Sequence, residues 1–165
     1  ITISGDLSWN THVGNVCNSA YRKLCFMRRS LRGTNSDIWT NVYKTLVRPT
    51  LKYAPIIWDP RAQTQIDKVE RIQRLAARFI FSKYDRHESV SALLREAQLS
   101  SLASRRRIAR LKFFYLLYFK YLHIDTQTYI RSPGRRSRRL NNELSVDPFM
   151  PNIDIFKYTF LVKNN

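Results

Sequence analysis

Lys68, Arg71, Arg74 and Arg78 recur three or four residues apart, the spacing that gathers side chains on one face of a helix. Four cations in such a row can follow the phosphates of a nucleic-acid backbone, which positions a strand without reading its sequence. The same row also suits a plain solvated helix face. Counted at about 100° per residue, Ile66, Val69, Ile72, Ala76, Phe79 and Ile80 share an arc of roughly 140°, and the four cations occupy a separate arc of roughly 120° opposite. A second group, Arg105, Arg106, Arg107 and Arg110, falls in the first turns of another helical pattern. Cations there oppose the helix dipole at a few tenths of a kcal/mol each, which suggests an anionic partner. A third group, Arg135, Arg136, Arg138 and Arg139, surrounds no apolar period and follows Pro133-Gly134, so it reads as a mobile linker or basic arm.

The whole chain carries the same bias. Its 165 residues hold 29 Lys+Arg against 12 Asp+Glu, a formal charge of +17. Surface pairing cannot neutralise that excess, so a polyanion is the expected partner, nucleic acid before anionic membrane. Hydrophobic residues make up 44% of the chain and aromatics 13%, enough to build a core without a disulfide or metal staple. Cys17 and Cys25 lie one helical stretch apart, about 12 Å by helical rise, too far for a disulfide's limit of about 7 Å. They are expected to be buried thiols of a reducing compartment. The apolar run Phe113 to Leu122 is shorter than the roughly 20 residues a bilayer requires.

Catalytic chemistry is hard to place. Asp6, Asp37, Asp59, Asp67, Asp85, Asp125, Asp147 and Asp154 stand apart in sequence, so no paired carboxylates offer a two-metal site. Four scattered glycines form no phosphate loop, and no zinc-type Cys/His spacing occurs. No catalytic residue, metal site, cofactor or small-molecule substrate is therefore expected of this chain alone. Trp9, Trp39 and Trp58 are of a type that stacks on bases. Each lies on an apolar stripe, which favours core packing.

The elements that position these residues read as helices. Ile1 to Ser4 is a short strand candidate. Ser8 is a candidate cap for a first helix whose stripe is Trp9, Val13, Val16, Ala20, Leu24, Met27 and Leu31, with Gly33 as its stop. Ser36 or Asp37 opens a second helix, with Val42, Leu46, Val47, Leu51, Ala54 and Trp58 inward. Pro49 interrupts it at roughly 3 kcal/mol, so a kink is expected there. Pro55 and Pro60 end it. A third helix runs from Gln63 or Thr64 to about Phe81, a short fourth starts at Glu88 or Ser89, and a fifth runs from Ser100 or Ser101 to about Leu122. The second half of the fifth is apolar nearly all round, which implies burial or an interface.

Four segments, in order, carry a resemblance. Tyr43 to Pro60 reads YKTLVRPTLKYAPIIWDP. It resembles the "YKTLVRPxLxYAxxxWDP" thumb signature of reverse transcriptases from non-LTR, LINE-like retrotransposons. ITISGDLSWNTHV at the start is similar to the strand-turn-helix that follows that family's primer grip. DKVERIQRLAARFIFS resembles its "xKLExVQRRAARFI" helix, and Leu102 to Leu117 its "SLxxRRxxxRLxxLYKI" helix. The match covers roughly the first 120 residues. Two later features depart from the pattern: Gln98-Leu99-Ser100-Ser101 replaces a Leu-Gly-Trp-Pro-like turn, and YTFLVKNN replaces a "SFFPRTIxxWNxLP"-like segment. The resemblance implies a thumb that grips an RNA-DNA hybrid, a parent RNA-directed DNA polymerase using Mg²⁺, and a nuclear and cytoplasmic, intracellular setting. The family's Tyr-x-Asp-Asp palm motif is not in this chain, so polymerisation is not expected of it alone.

The expected architecture is mainly α, a bundle of about five helices. Residues 1–7 would end a palm-adjacent strand, 8–124 form the helical thumb-like domain, and 125–165 a basic linker and C-terminal extension. Apolar helix faces would meet the palm and fingers of the parent polymerase. A start at Ile1 reads as a fragment of a longer polypeptide or a degenerate copy. Two alternatives stand beside this reading: a stand-alone basic helical nucleic-acid-binding protein, and a protein-interaction module presenting Phe113 to Leu122.

Overall fold

A computed structural model describes residues 1–5, 8–60, 62–122 and the single positions Ile124, Ile130 and Val146. The fold is mainly helical. In chain order it comprises α1 (Asn10–Ser30), α2 (Ser36–Val42), a π-helical turn (Tyr43–Val47), α3 (Arg48–Lys52), α4 (Gln63–Ile80), α5 (Val90–Glu96) and α6 (Leu102–Tyr118). It divides into two compact units, Ile1–Arg106 and Arg107–Asn165. The domain boundary expected at 124/125 lies partly outside the described residues.

The first unit is built on α1 and α4, which run side by side in the same direction. Gln65 donates to Asn10 near their N-terminal ends. Near their C-terminal ends the Arg28 guanidinium lies 5.0 Å from the Phe79 ring centroid. The α1 stripe is inward as its spacing requires: Val13, Ala20, Leu24 and Met27 are buried, and Trp9, Val16 and Leu31 pack against them. Val69, Ile72, Ala76, Phe79 and Ile80 of α4 complete the core from the other side. Leu93, Leu99 and Leu102 are buried as well. Cys17 and Cys25 are free thiols, half-buried rather than fully buried.

The Pro49 interruption takes a definite form. The Arg48 amide donates five residues back to the Tyr43 carbonyl, so the turn before the proline is widened into a π turn. The widening changes which residues face inward. Trp39, Tyr43, Val47 and Leu51, each four apart, are all buried. In an unbroken α-helix that spacing would drift about 40° per step, about 120° over the run. One extra residue in the π turn absorbs about 100° of the drift. Leu46, expected inward, is 49% exposed, and Tyr43 takes its place. The helix also stops at Lys52, well before Trp58. Trp58 is nonetheless fully buried from the irregular segment that follows, its Nε1 donating to the Tyr53 carbonyl at 2.6 Å.

The local start signals were partly correct. Ser89 and Ser101 cap α5 and α6, accepting from the amides of Ala92 and Ser104. Asn35 rather than Ser36 or Asp37 caps α2, accepting from the Ile38 amide at 2.9 Å. The residue before α1 is Trp9, which makes no side-chain cap, rather than Ser8. Ile1 to Ser4 form no strand, because no neighbouring strand exists among the described residues to pair with them. They are tied instead by Thr2, whose amide donates to His12 Nδ1 at 3.3 Å, and by a Ser4–Thr11 hydroxyl contact at 3.2 Å. The last helix ends at Tyr118 rather than near Leu122.

Candidate nucleic-acid interface

On α4 the apolar and cationic arcs separate as the sequence spacing requires. Lys68, Arg71 and Arg74 are exposed and Arg78 is half-buried. Val69, Ile72, Ala76 and Phe79 behind them are buried. The ridge borders an open cavity of about 620 Å³. Asp67 is the one carboxylate in its lining. From Lys68 to Arg78 the ridge is about 15 Å long by helical rise. A duplex carries about nine phosphate charges over that length.

The four cations are not equivalent. Lys68 and Arg71 take part in no ion pair among the described residues. Arg74 sits 3.7 Å from Asp67, with both side chains about half exposed, so the pair is weak and open to competition. Arg78 is a structural anchor. Its Nη1 donates to the Asp85 carbonyl at 2.8 Å and reaches the Lys83 carbonyl at 3.4 Å, fixing the loop after α4. That loop presents Tyr84, which is 53% exposed and lies 5.9 Å from the Arg28 guanidinium. Only the packing of α1 on α4 brings Arg28 and Tyr84 together.

The ridge also acts on α1. Burial raises the pKa of the Cys17 thiol, and the positive charge of Lys68 opposes that rise. A hydrogen bond with Cys25 raises the pKa of the Tyr21 hydroxyl, and Arg28 and Arg71 oppose it. The Lys68 and Arg71 charges therefore reach the α1 flank across the helix pair.

The second cationic group separates on folding. Arg105 is half-buried, with Nε donating to Ser100 Oγ at 2.9 Å. Arg106 is 2% exposed and its Nε lies 3.1 Å from Asp59 Oδ1. Burial lowers its pKa, while Glu70 acts to raise it. Arg106 is a core cation and is not available to a surface phosphate. The reason is its helical phase: it shares a face with Leu102, which is also buried. In the second unit Arg107 is exposed and Arg110 half-buried. Arg135, Arg136, Arg138 and Arg139 lie outside the described residues.

A polar link crosses the core of the first unit. The Tyr43 hydroxyl donates to Gln73 Oε1 at 3.2 Å, and Gln73 Nε2 donates to the Ser100 carbonyl at 3.0 Å. Burial drives the Tyr43 pKa far upward. Gln73 was missed because only its partners explain a polar side chain on the apolar arc. Trp39 and Trp58 are core residues and Trp9 is half-buried against them, so none is a free stacking platform.

In the second unit the aromatic run of α6 is partly open. Tyr115, Phe119 and Tyr121 are exposed, with Tyr115 and Phe119 centroids 4.5 Å apart. Of the two outcomes expected of this run, burial or an interface, these exposed rings leave the interface open, and they pack on one another. Among the described residues no three His, Cys, Asp or Glu side chains gather as a metal site, and no helix is long and apolar enough to cross a membrane. No family model matches this chain, and no curated protein or solved structure is significantly similar to it.

Proposed function

We propose that this chain grips a nucleic-acid duplex by its phosphates along the exposed face of α4, as the thumb region of a non-LTR retrotransposon reverse transcriptase would. One observation carries the reading. Lys68, Arg71 and Arg74 stand exposed in a row beside an open cavity, on a helix whose opposite face is locked in the core. Such a row holds a backbone without fixing it to one sequence, which is what a sliding primer-template needs. The catalytic carboxylates and Mg²⁺ of the parent polymerase would belong to a palm.

The test is a salt series of RNA-DNA hybrid binding by the chain and by Lys68→Gln/Arg71→Gln/Arg74→Gln. Arg78 is left intact because it anchors a loop. The slope of log affinity against log salt should flatten by about 0.9 for each lost phosphate contact, and so by about 2.7 for three. An unchanged slope in a folded variant removes this face from the proposal.

A second reading rests on the exposed Tyr115, Phe119 and Tyr121 rings, which suit a helix-mediated protein contact. Concentration-dependent association with weak, salt-insensitive hybrid binding would favour it.

A further inference from the structure

The chain leaving α4 is turned back sharply and held. Ser82 takes the left-handed φ of +52°. The Lys83 amide donates to the Arg78 carbonyl at 3.1 Å, and the Ser82 amide reaches the Phe79 carbonyl at 3.4 Å. These are the two bonds of a Schellman closure. The Arg78 side chain fastens the next residues, its Nη1 reaching the carbonyls of Lys83 and Asp85 on either side of Tyr84. The carboxylates of this loop are engaged within it. Asp85 Oδ1 accepts from the His87 amide at 3.0 Å, and Glu88 lies 3.6 Å from the Lys83 ammonium. Tyr84 is thereby set against Phe79, with ring centroids 6.0 Å apart, and the Arg28 guanidinium lies beside both rings. Phe79 belongs to the core, whereas Tyr84 stays exposed.

We infer that Tyr84 is a stacking platform for an unpaired nucleobase at the end of the α4 ridge. The inference rests on the ridge reading, because Arg78, which borders the ridge cavity, is also the residue that fixes the Tyr84 loop. Phosphate contacts along Lys68, Arg71 and Arg74 leave the bases of a strand free. A base released from pairing at a duplex end offers a flat π face that an aromatic ring can cover, whatever the base. Ordering the ring costs little further entropy on binding, since the loop already holds it. Arg28 takes part in no ion pair among the described residues, and its charge beside the ring suits the phosphate attached to a stacked base.

The probes are a blunt RNA-DNA hybrid and the same hybrid with a short single-stranded extension that carries iodouracil. Near-ultraviolet irradiation of the full chain on the extended hybrid should crosslink Tyr84, read by peptide mass mapping. The wild-type chain should bind the extended hybrid about tenfold more tightly than the blunt one. Tyr84→Phe should keep that preference and Tyr84→Ala should lose it. The salt slope should be the same in Tyr84→Ala as in the wild type, because no phosphate contact is removed. Crosslinking that misses Tyr84 in the wild-type chain overturns the platform whatever the variants do. So does equal wild-type affinity for the two probes, or a preference that survives in Tyr84→Ala. If Lys68→Gln/Arg71→Gln/Arg74→Gln flattens the slope while Tyr84→Ala matches the wild type on both probes, the platform alone fails. If that triple variant keeps the wild-type slope while Tyr84 still crosslinks, the ridge fails and the platform stands.

Discussion

Replacing Asp59 with Asn tests the buried pair that ties the Trp58–Pro60 segment to α6. The substitution keeps the shape and removes one charge. At 3.1 Å, and with an effective dielectric of about 20, the Asp59–Arg106 attraction is on the order of 5 kcal/mol. Desolvating an Arg106 side chain that is only 2% exposed costs several kcal/mol, so the intact pair contributes little net stability. Breaking it is different. The guanidinium would stay buried without its hydrogen-bonded counter-charge, with only the Glu70 charge still acting on it, and its Nη1 already lacks a partner. The expected loss is about 3–5 kcal/mol. At roughly 2–4 °C per kcal/mol for a chain of this size, Tm should fall on the order of 10 °C. Thermal melting by far-UV circular dichroism and urea titration followed by tryptophan emission both report it, since Trp58 adjoins Asp59. The double variant Asp59→Leu/Arg106→Met should melt near or above the wild type, because it removes the desolvation cost together with the attraction. An Asp59→Asn chain within about 1 kcal/mol of wild type would refute the account.

Further predictions concern Pro49 and His12. In Pro49→Ala the π turn should persist. Annealing to an α-helix would gain one backbone hydrogen bond, about 0.5–1.5 kcal/mol. It would also rotate Trp39 and Tyr43 outward, at about 1.5–3 kcal/mol each. Stability should change by less than about 1 kcal/mol with unshifted tryptophan emission; a red shift with a large stability change would show that the proline alone holds the turn. His12 is buried between Trp9 and Trp58, its Nδ1 accepts from the Thr2 amide, and burial lowers its pKa. The folded state therefore disfavours the protonated ring. The contribution is complete above the ordinary value of about 6.5 and is lost as pH falls through the lowered folded value. Tm should drop below about pH 6.5 with a component that His12→Gln lacks, and identical pH profiles for the two chains would contradict this.

How much of this was legible in sequence depended on how far the deciding partner lay. Ser89 and Ser101 could be read as caps because the amides they accept from are three residues away. The ridge on α4 was legible for the same reason, since helical phase is local. Leu46 was placed inward by the same rule and lies outward, because the π turn shifts the phase and the core decides the shift. Arg106 looked like its neighbours Arg105 and Arg107. A helical wheel puts it beside Leu102, but the near-continuous apolar and basic content of α6 left the inward face undefined. Gln73 carried no local signal at all.

The order of residues alone determined that this chain forms amphipathic helices, where most of them start, and which side of α4 is charged. Those properties follow from backbone hydrogen bonds and a period of 3.6, which reach only a few residues. Tertiary structure decided which cations remain at the surface and which is buried on Asp59. Those outcomes depend on contacts between segments tens of residues apart, where desolvation and packing outweigh local preference.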